Sequence, residues 1–134
     1  MSESIQYVVA VALIDRDERV LIAQRPGGKS MAELWEFPGG KIELGETPEV
    51  ALIRELREEL SINVEKSCLA PFTFSTFSYP TFQILLLLYI CRVWDGYVVP
   101  REGQNIRWIN IRELRDYPMP KADESLVAMM VDYF

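Results

Sequence analysis

Gly40-Lys-Ile-Glu-Leu-Gly-Glu46-Thr-Pro-Glu-Val-Ala-Leu-Ile-Arg54-Glu55-Leu56-Arg-Glu58-Glu59-Leu60-Ser61-Ile62 reads as a glycine turn feeding a helix. Glu55, Glu58 and Glu59 stand at i, i+3 and i+4, so on a helix turning roughly 100° per residue they share one arc. Like charges at that spacing repel unless a cation sits among them. Acids on a helix are commonly just a solvated face. Here Leu52, Ile53, Leu56 and Leu60 occupy a different face, able to dock on a core while the acids stay presented. Thr47 suits the N-cap, and Pro48 the first helical position, where a missing N–H costs nothing. Upstream, Pro38-Gly39-Gly40 calls for a tight backbone that lets main-chain groups approach a ligand. Together these features predict a divalent-metal site carried on a helix.

Working outward, 134 residues with 49% hydrophobic content suit one domain spanning 1–134 with a substantial core. The longest unbroken apolar run, Ile84 to Cys91, is too short to span a membrane. Met1-Ser-Glu-Ser-Ile-Gln6 lacks the basic-then-apolar pattern of a secretory signal. Cys68 and Cys91 have no metal-type spacing and are too few for a disulfide framework, so a cytoplasmic setting is expected. The absence of histidine excludes His general bases, Ser-His and Cys-His triads and His-ligated zinc. A net charge of −6 argues against nucleic-acid polymers as partners, though not against a phosphorylated small molecule. Oxygen-only ligands suit Mg²⁺ or Mn²⁺, and a bound cation reverses the local field. A monomer is expected.

Tyr7 to Ile14 is nearly all apolar, as in a central strand covered on both faces. Asp15 to Arg19 reads as a polar turn and Val20 to Gln24 as the returning strand. Leu69 to Ser78 and Thr81 to Trp94 read as strands, the latter with Leu85 to Leu88 buried. Asp95-Gly96 signals a hairpin into a strand at Tyr97 to Val99. Arg107 to Ile109 forms a short strand, Ile111 to Arg115 opens a small helix, and 123–134 is a terminal amphipathic helix. Mixed strands with two main helices predict an α/β (α+β) fold, an α/β/α sandwich.

Gly40, Glu46, Arg54, Glu55, Leu56, Glu58, Glu59 and Ile62 resemble the Nudix box, G-x5-E-x7-R-E-U-x-E-E-x-G-U with U a bulky aliphatic. Ser61 is the departure, standing where the family's glycine ends the helix. Trp35-Glu-Phe37-Pro-Gly-Gly-Lys-Ile-Glu-Leu-Gly-Glu-Thr-Pro-Glu49 is similar to the MutT branch. The resemblance implies the same sandwich, a mixed sheet between helices. It also implies that Glu55, Glu58 and Glu59 hold Mg²⁺ (Mn²⁺ able to substitute), with a backbone carbonyl of Gly39 or Gly40.

The resemblance extends to other positions. Arg54 would orient a metal-site glutamate, or else pair with Glu58 on the surface; Glu46 would be structural. Glu102, in Pro100-Arg-Glu-Gly-Gln104, would reach the metal cluster, or else be a plain loop acid. Either it or one of the helix acids would be the general base. Arg25 would contact substrate, or cap a strand as a solvated charge. Glu36, Phe37, Pro38 and Gly39 would line the substrate, Phe37 as core or as a stacking wall. Asp123, in Pro118-Met-Pro-Lys-Ala-Asp-Glu-Ser-Leu126, would read a base edge or serve as an N-cap.

The activity so implied is splitting a nucleoside triphosphate into monophosphate and pyrophosphate. The MutT likeness favours 8-oxo-dGTP, hence cleansing of the nucleotide pool before DNA replication and repair. A CTP or modified-dCTP pyrophosphatase is the rival. A non-catalytic Nudix-like binding module is the alternative from another class, and such modules usually lose the box glutamates that this chain keeps.

Overall fold

The computed structural model describes residues 4–26 and 33–134. Strand β1 (Ser4–Leu13) is central. It pairs antiparallel with β4 (Gly39–Lys41) and parallel with β6 (Phe82–Cys91), whose far edge takes β5 (Ala70–Ser78) antiparallel. The result is a mixed sheet of order β4-β1-β6-β5. A second sheet, order β3-β2-β7, joins β2 (Arg19–Gln24) to β3 (Trp35–Glu36) and β7 (Asn105–Asn110).

The apolar run in β1 is explained by helices on both sides. Val9, Val11 and Leu13 pack in a cluster with Leu52, Leu56 and Leu60 of α1 (Pro48–Leu60). Ala10, Ala12 and Ile14 pack with Leu126 and Met130 of α2 (Lys121–Tyr133). Each alternate side chain thus finds a helix, which gives the expected α/β/α layering. No helix is long and apolar enough to cross a membrane.

Several local expectations change. Val20 to Gln24 does not return along β1. After a single bridge, Ile14 to Val20, it crosses into the second sheet, because Asp15 Oδ1 accepts from the Asp17 and Arg19 N–H groups and curls the chain away. The long strand stops at Cys91, and within it Leu86 and Leu88 are buried whereas Leu85 and Leu87 are only half-buried. Tyr97 to Val99 is no strand: the Val99 N–H goes to the Leu60 carbonyl of α1 instead of a ladder. The last helix starts at Lys121 with Pro120 as its cap, which puts Asp123 inside the first turn and overturns its N-cap reading.

Candidate active site

The box helix begins as its sequence predicts, with the Thr47 hydroxyl accepting the Val50 N–H and Pro48 in the first turn. It ends at Ser61, held at φ 60° and ψ 28°. This left-handed geometry is one that glycine adopts freely and serine adopts at a cost. The Ser61 hydroxyl accepts a 2.9 Å hydrogen bond from Arg101 Nη1, so the substituted residue keeps the helix end and adds a tie to the following loop.

Arg54 is the hub of the helix acids. Its guanidinium grips Glu46 with two bonds, Nε to Oε2 at 2.8 Å and Nη2 to Oε1 at 2.9 Å, and Nη1 donates to Glu55 Oε1 at 2.8 Å. Glu58 is more distant at 3.6 Å, so Arg54 orients Glu55 rather than serving as a surface partner of Glu58. Glu46, held down to about 2 chiefly by Arg54, also accepts the Glu43 N–H and is structural. The backbone at Gly40 lies so close to Glu55 that an added Cβ would come within 2.5 Å of its carboxyl carbon. A Cβ on Gly39 would collide with the Val9 carbonyl. These two glycines permit close approach to Glu55 and to β1.

Glu59 differs from its neighbours. Burial pushes its carboxyl up to about 9, with Glu55, Glu102 and Glu36 adding repulsion and the Gly39 N–H opposing. Its Oε2 is buried without a hydrogen-bond partner. Glu55 is likewise raised, by burial first and despite Arg54. Glu58 is exposed. Among the described residues no three acids already converge as a cation cage, so gathering them requires Glu58 to turn inward. The donor set nonetheless fits a hard divalent cation: oxygen atoms only, mutually repelling, one of them buried and unpaired. Without a cation, a proton on Glu59 relieves the repulsion.

One cavity of about 680 Å³ connects this acidic end to a second group of residues. Gly39, Gly40, Glu59 and Glu102 line it, as do Arg25, Glu36, Phe37, Pro38 and Asp123. Glu55 and Glu58 are not among the lining residues. Arg25 is no free strand-end charge, for its Nε and Nη2 donate to the two Glu36 oxygens at 2.9 and 3.3 Å. Asp123 is only 7% exposed. Burial, then Glu36, raises its carboxyl to about 7, while the Phe37 N–H and Arg25 pull the other way. The Phe37 residue is 3% exposed, so its ring belongs to the core and its N–H serves Asp123.

A NUDIX domain model matches residues 9–129 of this chain. The chain belongs to the NUDIX family. Among NUDIX relatives it is 35% identical over 123 residues to the 8-oxo-dGTP diphosphatase of Escherichia coli, covering 91% of this chain and 94% of that one. It is 37% identical over 121 residues to the CTP pyrophosphohydrolase of the same organism, covering 89% and 87%. A solved MutT structure, from work on Aliivibrio salmonicida and Vibrio cholerae, superposes with a TM-score of 0.82 at 32% identity. That match covers 98% of this chain and 100% of the other.

Sequence reasoning passed over other lining residues of this NUDIX cavity, namely Gln6, Gln24, Tyr79, Phe82 and Gln104. Gln104 sits in the Glu-Gly-Gln segment already quoted for Glu102. The Tyr79 and Phe82 rings stack 5.0 Å apart across a strand turn, and a Tyr-Pro-Thr-Phe turn between apolar strands was the signal available for them.

Proposed function

We propose that this NUDIX protein is a Mg²⁺-dependent nucleoside triphosphate pyrophosphohydrolase whose foremost substrate is 8-oxo-dGTP, released as 8-oxo-dGMP and pyrophosphate. The observation that carries this is one cavity lined both by Glu59 and Glu102 and by Arg25, Glu36 and Asp123. A triphosphate at the first group with its base at the second fits such a cavity, whose size is in the usual range for small-molecule sites. The E. coli relative named for 8-oxo-dGTP adds support.

When bound, the cation would neutralise phosphate charge and acidify a water. Glu55, Glu58, Glu59 and Glu102, with a carbonyl of Gly39 or Gly40, are the residues to hold it. Arg54, held by Glu46, would orient the Glu55 carboxylate for that cation. Glu59 and Glu102 face the cavity and are the carboxylates placed to take the proton of the attacking water. At the other end, an Asp123 carboxyl poised near neutrality both donates and accepts. Guanine shows two acceptors on its N7/O6 edge, whereas the 8-oxo form shows an N7–H donor beside the O6 acceptor. A protonated Asp123 matches the latter pair.

CTP or a modified dCTP is the second reading, favoured because an ionised Asp123 accepts from cytosine's amino group and because of the E. coli relative named for CTP. In either case all 134 residues act as one domain, monomeric and cytoplasmic, with Mn²⁺ able to replace Mg²⁺ and no polymer or membrane partner. The role would be nucleotide-pool cleansing that protects DNA replication. A panel of 8-oxo-dGTP, dGTP, CTP and 5-substituted dCTP with Mg²⁺ and product analysis tests the proposal. Pyrophosphate release fastest from 8-oxo-dGTP is expected; fastest release from a cytosine nucleotide moves the assignment to the second reading, and release of orthophosphate alone refutes both.

A further inference from the structure

The loop that carries Glu102 is strapped to the end of α1 by hydrogen bonds to its last carbonyls. The Val99 N–H reaches the Leu60 carbonyl and the Arg101 N–H the Glu59 carbonyl, both at 2.9 Å. Arg101 also reaches Ser61 through its side chain. Gln104 adds a bond of a different kind. Its Nε2 donates to the Glu59 carbonyl at 3.1 Å, while its Oε1 accepts the Glu102 N–H at 2.8 Å. One half-buried carboxamide therefore spans the backbones of the two cavity-facing acids, which are far apart in sequence.

We propose that Gln104 is a positioning residue that sets the spacing between Glu59 and Glu102, and so the geometry in which their carboxylates share a cation. The inference rests on the hydrolase reading given above. A bond from one residue to both backbones is what such a role demands. Glu102 is exposed, and Gly103, which follows it, sits at φ +74°; the Arg101 N–H ties the residue before Glu102 to the helix end, while Gln104 is the side chain that holds the Glu102 N–H itself. The helix end offers a fixed point, because the Glu59 carbonyl, a last-turn acceptor with no intrahelical donor, takes both the Arg101 N–H and the Gln104 carboxamide. Only a side chain with an acceptor and a donor on one rigid plane satisfies both partners; methionine has the length and neither group.

The test uses Gln104→Met, Glu102→Ala and the double variant. Three readouts are taken on the full chain: steady-state kinetics with Mg²⁺, Mn²⁺ affinity without nucleotide by electron paramagnetic resonance, and hydrogen exchange of the Glu102 amide. For Gln104→Met, kcat is expected to fall about tenfold with KM little changed, and Mn²⁺ affinity to fall by a similar factor. Exchange at Glu102 should quicken. In the Glu102→Ala background the Gln104 change should cost nothing further, since its effect runs through Glu102. Unchanged Mn²⁺ affinity and Glu102 exchange would overturn the proposal, as would an equal loss of activity in both backgrounds. Should the wild type split no nucleoside triphosphate while Mn²⁺ affinity and exchange still respond, the hydrolase reading falls and the positioning role stands.

Discussion

Half-buried Glu59 and buried Asp123 stand near the ends of the two helices, and their surroundings differ. Glu59 near the C-terminus of α1 faces Glu55, Glu102 and Glu36 and has an oxygen with no partner. Asp123 in the first turn of α2 faces Glu36 too, with the Phe37 N–H and Arg25 opposing; Glu59 has the Gly39 N–H and Arg25 opposing, but against three acids. The first environment holds a proton in the free protein and would give it up to an added cation. The second is completed by a proton or a donor group on a ligand. On the proposed function, one cavity would hold a cation at Glu59 and read a base at Asp123.

Removing the charge at the first end should have the largest effect. Glu59→Gln is expected to lower kcat by about 10³-fold with the fold intact, measured by turnover beside circular dichroism. A rate near wild type would break the contrast between the two acids. Arg54→Gln is next: freed from Glu46, Glu55 loses its orientation, and activity should drop about 10–100-fold. Arg54→Lys should not restore it, because a single ammonium cannot span both acids as the guanidinium fork does.

At the second end, Asp123→Asn is expected to change relative kcat/KM between oxidised purine and cytosine nucleotides by about tenfold, the scale of one hydrogen-bonded base contact. It should also change stability with pH. Because the folded-state carboxyl sits at about 7 against an ordinary 3.8, it favours folding fully only at low pH, and that contribution drains away as pH rises toward 7. Urea midpoints at about pH 5 and about pH 7.5 should therefore differ less for the variant than for the wild type, as far as this group contributes. The smallest effect belongs to Ser61→Gly. Relief of the left-handed backbone and loss of the Arg101 bond oppose one another, so the net change in denaturation free energy should stay under about 1 kcal/mol.

The α1 site was legible in sequence because its grammar is local. The Thr47 cap, the i, i+3, i+4 acids and the Arg54 hub all lie within a few turns of chain. The central strand was legible for a similar reason, since alternate residues of β1 meet two helices. What stayed hidden was long-range. No local pattern says that the backbone near Val99 will bond the end of α1 instead of pairing as a hairpin. Nor does one say that β2 will leave its neighbour for a second sheet. Asp123 read equally well as a cap because its burial and its partners Phe37, Arg25 and Glu36, distant in sequence, leave no local signal. Phe37 read as a possible stacking wall until its ring was found in the core.

Manganese titration of the nucleotide-free protein, followed by broadening of backbone amide signals, tests the proposed cation site most directly. The expected result is early, saturable broadening at Gly39, Gly40, Glu55, Glu58, Glu59 and Glu102, absent in Glu59→Gln. Broadening confined instead to exposed acids such as Asp17 and Glu18, with these residues untouched, would contradict the account.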